Sequence, residues 1–219
     1  MSHKSLVSAL KRHQAKLAAC QRCPDMQGKP VYGYPNASSV MLIGQAPGIK
    51  EIQVNRPFAW TAGKTLFKWL DSAGLDENAV RKKVYMAAVC RCFPGKNPKG
   101  GDRVPNPSEI HQCADWLHRE IQLLQPKLLI PVGKLAIAQF MKVSKLNTVI
   151  GKQYSVDWET VCHSPGHRGH ADYPRDCVMI PLPHPSGAST WHRTEPGKQL
   201  LQHALQLLRA HPAWQALFE

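Results

Sequence analysis

Ser39-Val40-Met41-Leu42-Ile43-Gly44-Gln45-Ala46-Pro47-Gly48 is the stretch on which the fold turns. Ser39–Ile43 predicts a short apolar strand. The Gly44–Gly48 run breaks it with a loop whose glycines let backbone approach a ligand. The same alternation recurs outward from this point. Strands are expected at Val84–Cys90, Leu128–Val132 and Cys177–Leu182. The third is continuous in hydrophobicity, the pattern of a strand buried on both faces. Helices are expected at 5–19, 63–73, 134–141 and 198–209. Another starts at Asn106-Pro107-Ser108-Glu109, where Asn caps, Pro takes the first turn and Glu reaches back to the cap. Ile110, Cys113, Trp116, Leu117, Ile121 and Leu124 continue it at helical spacing. Strands alternating with helices predict an α/β fold, a three-layer α/β/α sandwich around a central, mostly parallel four-stranded sheet. Ligands of such sheets bind outside the carboxyl ends of the strands. Three loops leave those ends: Gly44–Gly48, Arg91–Gly95 and His184–Ser189.

Composition narrows the class. The chain has 219 residues and a formal charge of +13. That length fits a single domain spanning 1–219. The charge attracts polyanions, nucleic acid first among them, although a generally basic surface is the plainer reading. No apolar run approaches the length of a membrane span, and the first residues lack a signal peptide's apolar core. A cytoplasmic location is expected.

Seven cysteines in such a chain point to reduced thiols and metal ligation rather than disulfides. Cys20 and Cys23 form a C-x-x-C pair; Cys92 and Cys113 are distant singles. Thiolates from separate elements converging on one soft centre suit either an iron–sulfur cluster or zinc. Cys90 would share a strand face with Cys92 and is its rival. Cys162 and Cys177 read most simply as buried apolar thiols. His184-Pro185-Ser186 follows the apolar run Val178–Leu182 and can project from its end. Lys96, Lys99 and Arg103 stand in a Gly/Pro-rich loop, suited to phosphate contact or simply to solvent. The polar stretch 162–176, with His163, His167 and His170, reads as a solvated loop.

Taken together, these pieces resemble the iron–sulfur branches of the uracil-DNA glycosylase superfamily, from about Cys20 to the end of the chain. Gly44-Gln45-Ala46-Pro47-Gly48 with Glu51 is similar to the first active-site motif. Arg56-Pro57-Phe58 followed by Ala62-Gly63 is similar to the segment carrying the base-stacking phenylalanine. Tyr85 to Pro94 resembles the strand and loop leading to the third cluster ligand, which favours Cys92 over Cys90. Pro107 to Cys113 resembles the helix bearing the fourth. His184-Pro185-Ser186 resembles the second catalytic motif.

The resemblance implies hydrolysis of the N-glycosidic bond of a deaminated base, uracil and by extension hypoxanthine, flipped out of DNA. Phe58 would stack on the base, and Ala88 would line its edge. Backbone N–H groups near Gln45 and Ala46 would bind its carbonyl. His184 would stabilise the departing anion. Glu51 is the nearest carboxylate for activating water. It also implies a 4Fe-4S cluster on Cys20, Cys23, Cys92 and Cys113, in a lobe formed by 1–30 and 91–113. Lys96, Lys99, Arg103, Ser186, Ser189, Trp191 and Arg193 would meet DNA, and the protein would act as a monomer. The chain stands between the thermophilic-type and the broader-specificity iron–sulfur branches. Gln45 replaces a glutamate of the first, and Ala88 replaces its base-reading asparagine. Ala46 replaces an acidic residue of the superfamily's best-known branch. Trp60 stands where glycine is usual, and Ala188 where relatives carry a bulky wedge, leaving Trp191 as the candidate wedge. The competing expectation is a non-catalytic binder of DNA or damaged bases that keeps fold and cluster.

Overall fold

The computed structural model describes residues 2–98, 100–158, 161, 173–187 and 189–219. Its centre is a five-stranded sheet in the order β2-β1-β3-β5-β4. The strands are β1 (Val40–Gly44), β2 (Tyr85–Ala88), β3 (Leu128–Pro131), β4 (Tyr154–Ser155) and β5 (Val178–Met179). β1 lies parallel between β2 and β3, with Gly44 opposite Ala88 and Ile43 opposite Pro131. β5 runs parallel to β3 and β4 antiparallel to β5. The sheet therefore has one strand more than the four expected. β4 is two residues long, within a polar stretch that gives no apolar run to detect. The expected strand 177–182 is also shorter. Pro181 and Pro183 lack the N–H a ladder needs, yet pairing resumes at a bridge between Val132 and Leu182.

Alternation along β1 serves two layers of helices. Val40 and Leu42 face one apolar cluster with α3 (Thr61–Ser72), α4 (Glu77–Lys83) and α7 (Gly197–Ala210). Met41 and Ile43 face another with α1 (His3–Ala18) and α5 (Pro107–Leu124). Short helices α2 (Ile49–Val54), α6 (Lys134–Ile137) and α8 (Pro212–Gln215) and two 3₁₀ turns, Leu146–Thr148 and Trp191–Arg193, join them. α2 and α4 were not expected, and α6 ends well before Met141.

Two charged fastenings order the loops. At the start of α5, Asn106 Oδ1 accepts from Glu109 N–H at 2.9 Å, and Glu109 Oε2 accepts from Asn106 N–H at 2.7 Å. Arg103 donates to both oxygens of that carboxylate and to the Pro94 carbonyl at 2.7 Å. Deeper, the buried Arg91 pairs with the buried Glu120. Tyr85 Oη donates to Glu120 Oε1 at 2.8 Å, and His13 lies 3.5 Å from the same oxygen. Burial pushes the Glu120 carboxyl up, but Arg91 and His13 outweigh it and hold it below its ordinary value. The network ties α1, the end of β2 and α5 to one another.

Candidate active site

Beyond the carboxyl ends of β1 and β2 lies a cleft of about 620 Å³. Gln45, Ala46, Glu51, Phe58, Ala88 and His184 all line it, drawn from four separate stretches of sequence. The sheet explains the gathering. Val89 N–H donates to the Gly44 carbonyl at 2.9 Å, and Cys90 N–H to the Gln45 carbonyl at 3.0 Å. A trans peptide points its C=O and N–H in opposite directions. The N–H groups of Gln45 and Ala46 are therefore turned away from β2. On the other side, Gly133 N–H donates to the Leu182 carbonyl at 2.9 Å, which carries the β5 chain past β3 and sets His184 beside Gly133.

His184 is prepared for one tautomer. Its Nδ1 accepts from Ser186 N–H at 3.2 Å. The remaining proton of the neutral ring then sits on Nε2, making that nitrogen a donor. Burial pushes the imidazole below its ordinary value, so the neutral ring prevails at pH 7. The ring rests against Gly133, at φ +90°, where a Cβ would lie 3.0 Å from His184 Cδ2.

Phe58 is held in a left-handed backbone conformation, φ +52°, unusual for a bulky residue. Its carbonyl lies so close to Gly63 that a Cβ there would sit 1.8 Å from the oxygen. Its ring tip rests over Gly44, whose added Cβ would be 2.8 Å from Cζ. Glu51 accepts from Gly48 N–H at 2.5 Å, and the nearby Phe58 and Ala59 N–H groups favour its charged form. Burial nevertheless raises its carboxyl above the ordinary value. The carboxylate thus joins the first loop to the Phe58 segment. Trp60, 54% exposed, stands at the rim with Lys50 Nζ 5.5 Å from its ring centre.

A second cavity, about 340 Å³, opens between the end of α1, the 91–93 segment and α5. Cys20, Cys23, Cys92 and Cys113 all line it. Cys90 is fully buried, and the neighbouring Cys113 thiol together with burial pushes its own thiol upward. Burial and the neighbouring thiols push Cys23 up to about 11 and Cys92 up to about 12. Among the described residues, no three His, Cys, Asp or Glu side chains are spaced to hold one metal ion.

The sequence profile of the uracil DNA glycosylase superfamily matches residues 30–209, most of the chain and both walls of the cleft. The chain belongs to the uracil DNA glycosylase superfamily. It is 31% identical over 151 residues to a type-4 uracil-DNA glycosylase of Archaeoglobus fulgidus, covering 65% of this chain and 71% of that one. A type-4 uracil-DNA glycosylase of Sulfurisphaera tokodaii is 27% identical over 192 residues, 83% of this chain and 76% of the relative. A type-5 uracil-DNA glycosylase of Pyrobaculum aerophilum is 27% identical over 186 residues, 79% and 74%. Membership makes this a glycosylase, a hydrolase of the bond between base and sugar.

The glycosylase's four-thiol cavity fits a soft metal centre. The donors are all sulfur, and they surround a void without closing on a single point. Burial and the neighbouring thiols oppose ionisation of Cys23 and Cys92, a penalty that a bound cation reverses.

The expected site residues do not all gather in the cleft. Lys96 and Arg103 line its rim, but Lys96 is paired with Asp102 at 2.7 Å and Arg103 with Glu109. Ser186 lines the cleft, and Ser189 N–H donates to its carbonyl at 3.1 Å. Trp191 packs against the main core and donates from Nε1 to Asn147 Oδ1 at 2.6 Å. Arg193 is exposed at the end of a short turn, Trp191–Arg193. Lys99, Ala188, Cys162 and the histidines at 163, 167 and 170 lie outside the described residues. Sequence reasoning missed Asp102 and Gly133. Asp102 lines the cleft, and its Oδ2 would lie 3.1 Å from a Cβ at Gly48. The Gly between β3 and α6 was a readable signal for Gly133.

Proposed function

We propose that this protein is a DNA repair glycosylase that excises uracil, and by the same contacts hypoxanthine, from a nucleotide flipped out of the stack. The observation that carries the reading is the convergence of Gln45, Ala46, Phe58 and His184 on one cleft, with His184 Nδ1 already satisfied. The names of the type-4 relatives support the substrate.

In this reading the base slides against the Phe58 ring. The N–H groups of Gln45 and Ala46 and His184 Nε2–H meet its carbonyl oxygens. The bond from C1′ to the base nitrogen breaks with its electron pair going to the base. Charge develops on the carbonyl oxygens, where preorganised donors stabilise it most. Water adds to C1′ and gives up a proton. Glu51 is the carboxylate proposed to take it; its raised affinity for protons suits a base, and its N–H contacts fix its place. Cys20, Cys23, Cys92 and Cys113 would hold a 4Fe-4S cluster, which fastens α1, the 91–93 segment and α5 without entering the chemistry. The all-thiol donor set and the breadth of the cavity favour it over one zinc ion. The basic surface supports DNA as the partner.

The test is single-turnover cleavage of oligonucleotides carrying one uracil or one hypoxanthine. Wild type is expected to release the base. His184→Ala is expected to melt normally and lose about 10²–10³ in rate, roughly 3–4 kcal/mol. A wild type that binds such DNA and releases nothing would instead support the non-catalytic binder.

A further inference from the structure

We infer that Arg81 is a positioning residue for Phe58, holding the ring that forms one wall of the base pocket. The inference rests on the proposed reading that Phe58 stacks on the excised base.

Arg81 lies on α4, outside the cleft. Its Nη1 donates to the Pro57 carbonyl at 2.9 Å, and its Nη2 to the Phe58 carbonyl at 3.0 Å. Nε donates to Glu77 Oε1 at 2.8 Å, one turn earlier on the same helix. The guanidinium also stacks over the Phe67 ring, 4.4 Å from its centre. Both edges of the planar fork and one of its faces are thus engaged. Lysine, a point charge on a flexible stem, cannot reproduce that geometry.

What the fork holds is a strained turn. Phe58 keeps φ +52°, a conformation that L side chains rarely adopt and that persists only where the surroundings impose it. The surroundings here are asymmetric. The Glu51 carboxylate lies on the amide side of the turn, where the Phe58 and Ala59 N–H groups favour its charged form. Arg81 takes the carbonyl side. Gly63 makes room for the Phe58 oxygen, and Gly44 makes room for the ring tip. Removing Arg81 leaves two part-buried carbonyls without their charged donor and frees the peptide to relax toward an ordinary φ. That rotation would carry the Phe58 ring off Gly44 and spoil the stack.

A double-mutant cycle on the full-length protein tests this. Arg81→Met alone is expected to lower kcat/KM about 10–100-fold, the scale of an ångström-sized misplacement. Arg81→Lys should fall between wild type and Arg81→Met. In a Phe58→Ala background, Arg81→Met should change kcat/KM less than twofold, because the residue through which it acts is gone. Additive losses would overturn the inference, as would full activity in Arg81→Met. Glu77→Gln separates fold from position: it removes the ion pair but leaves both carbonyl contacts, and should keep near-wild-type kinetics. A second arm needs no catalysis. Amide exchange at Phe58 and Ala59 should accelerate at least tenfold in Arg81→Met and stay unchanged in Glu77→Gln. Unchanged exchange in Arg81→Met would refute the clamp. Accelerated exchange in Arg81→Met, alongside a wild type that cleaves nothing, would uphold the clamp and refute only the glycosylase reading.

Discussion

Gly133→Ala tests whether His184 must sit where the fold puts it. The substitution adds one methyl group, yet it touches two things at once. Its Cβ would lie 3.0 Å from His184 Cδ2 and 3.3 Å from His184 Cβ, against ordinary contacts that begin near 3.4 Å. The imidazole must therefore give by about 0.4 Å at least. An error of about 1 Å can cost roughly 100-fold in rate, so about a tenfold loss in kcat/KM is expected here. The loss is bounded above by His184→Ala, at about 10²–10³. The backbone adds a separate cost. Gly133 holds φ +90°, and forcing alanine there costs about 1–3 kcal/mol. For a chain of this length, that lowers Tm by roughly 2–12 °C. Gly187→Ala is the control, on the same loop as His184: its Cβ meets nothing within 4 Å and its φ is not positive. It should melt like wild type. The assay is single-turnover release of uracil with melts alongside. Gly133→Ala that melts low but cleaves at the wild-type rate would refute the claim that imidazole position governs excision. A loss greater than that of His184→Ala would show that the damage lies elsewhere in the cleft.

Three further outcomes are expected. Cleavage should hold steady above pH 6.5 and fall below it: burial holds the His184 pKa under its ordinary value, and protonating Nδ1 sets two donors, Nδ1–H and Ser186 N–H, against each other. An acid limb unchanged in His184→Gln would assign the titration to another group. Purified protein should be brown, with absorption near about 400 nm; Cys92→Ser should lose iron and soluble yield, whereas Cys177→Ser, a buried thiol away from the cavity, should keep both. Equal loss from the two variants would remove Cys92 from the ligand set. DNA affinity should fall with log salt at a slope of about −4 to −5 if about five phosphates are met, and Lys96→Ala should reduce it by about one; an unchanged slope takes Lys96 out of the interface.

Legibility followed the range of the interaction. β1 and β3 were readable because Val40–Ile43 and Leu128–Ile130 are apolar without interruption, a local property. α5 was readable from its cap, which four consecutive residues supply. α4 escaped because Glu77–Lys83 is polar on most sides and buries only Val80, although Asp76 caps it on Ala79 N–H at 2.7 Å. The motif residues of the cleft were legible because they leave strand ends. Their supports were not. Arg81 reaches back 23 and 24 residues to Phe58 and Pro57, and Glu120 reaches 29 to Arg91. No periodicity encodes such pairs. Arg103 illustrates the opposite case: a basic residue in a Gly/Pro loop suggests phosphate, but the fold also spends its guanidinium on Glu109.

The chemistry of the cleft also bears on which bases it can accept. Deamination replaces an exocyclic amino group, a donor, with a carbonyl, an acceptor. In the proposed reading, a wall of N–H donors from Gln45, Ala46 and His184 would pair with that carbonyl and be left facing a donor when cytosine or adenine enters. Sites that hydrogen-bond a substrate group reject analogues lacking it by as much as about 10⁴–10⁵, because buried groups go unpaired. Discrimination against cytosine and adenine then needs no side-chain amide, whereas thymine and guanine already carry the carbonyl and have to be turned away by the 5-methyl and 2-amino groups. Discrimination among deaminated bases does need one, since uracil and hypoxanthine both offer the carbonyl and differ in size and in their other edge. Ala88 supplies only a methyl group at the end of β2, beside Gly44. In the proposed reading, the cleft would be strict about the carbonyl and permissive about the ring that bears it.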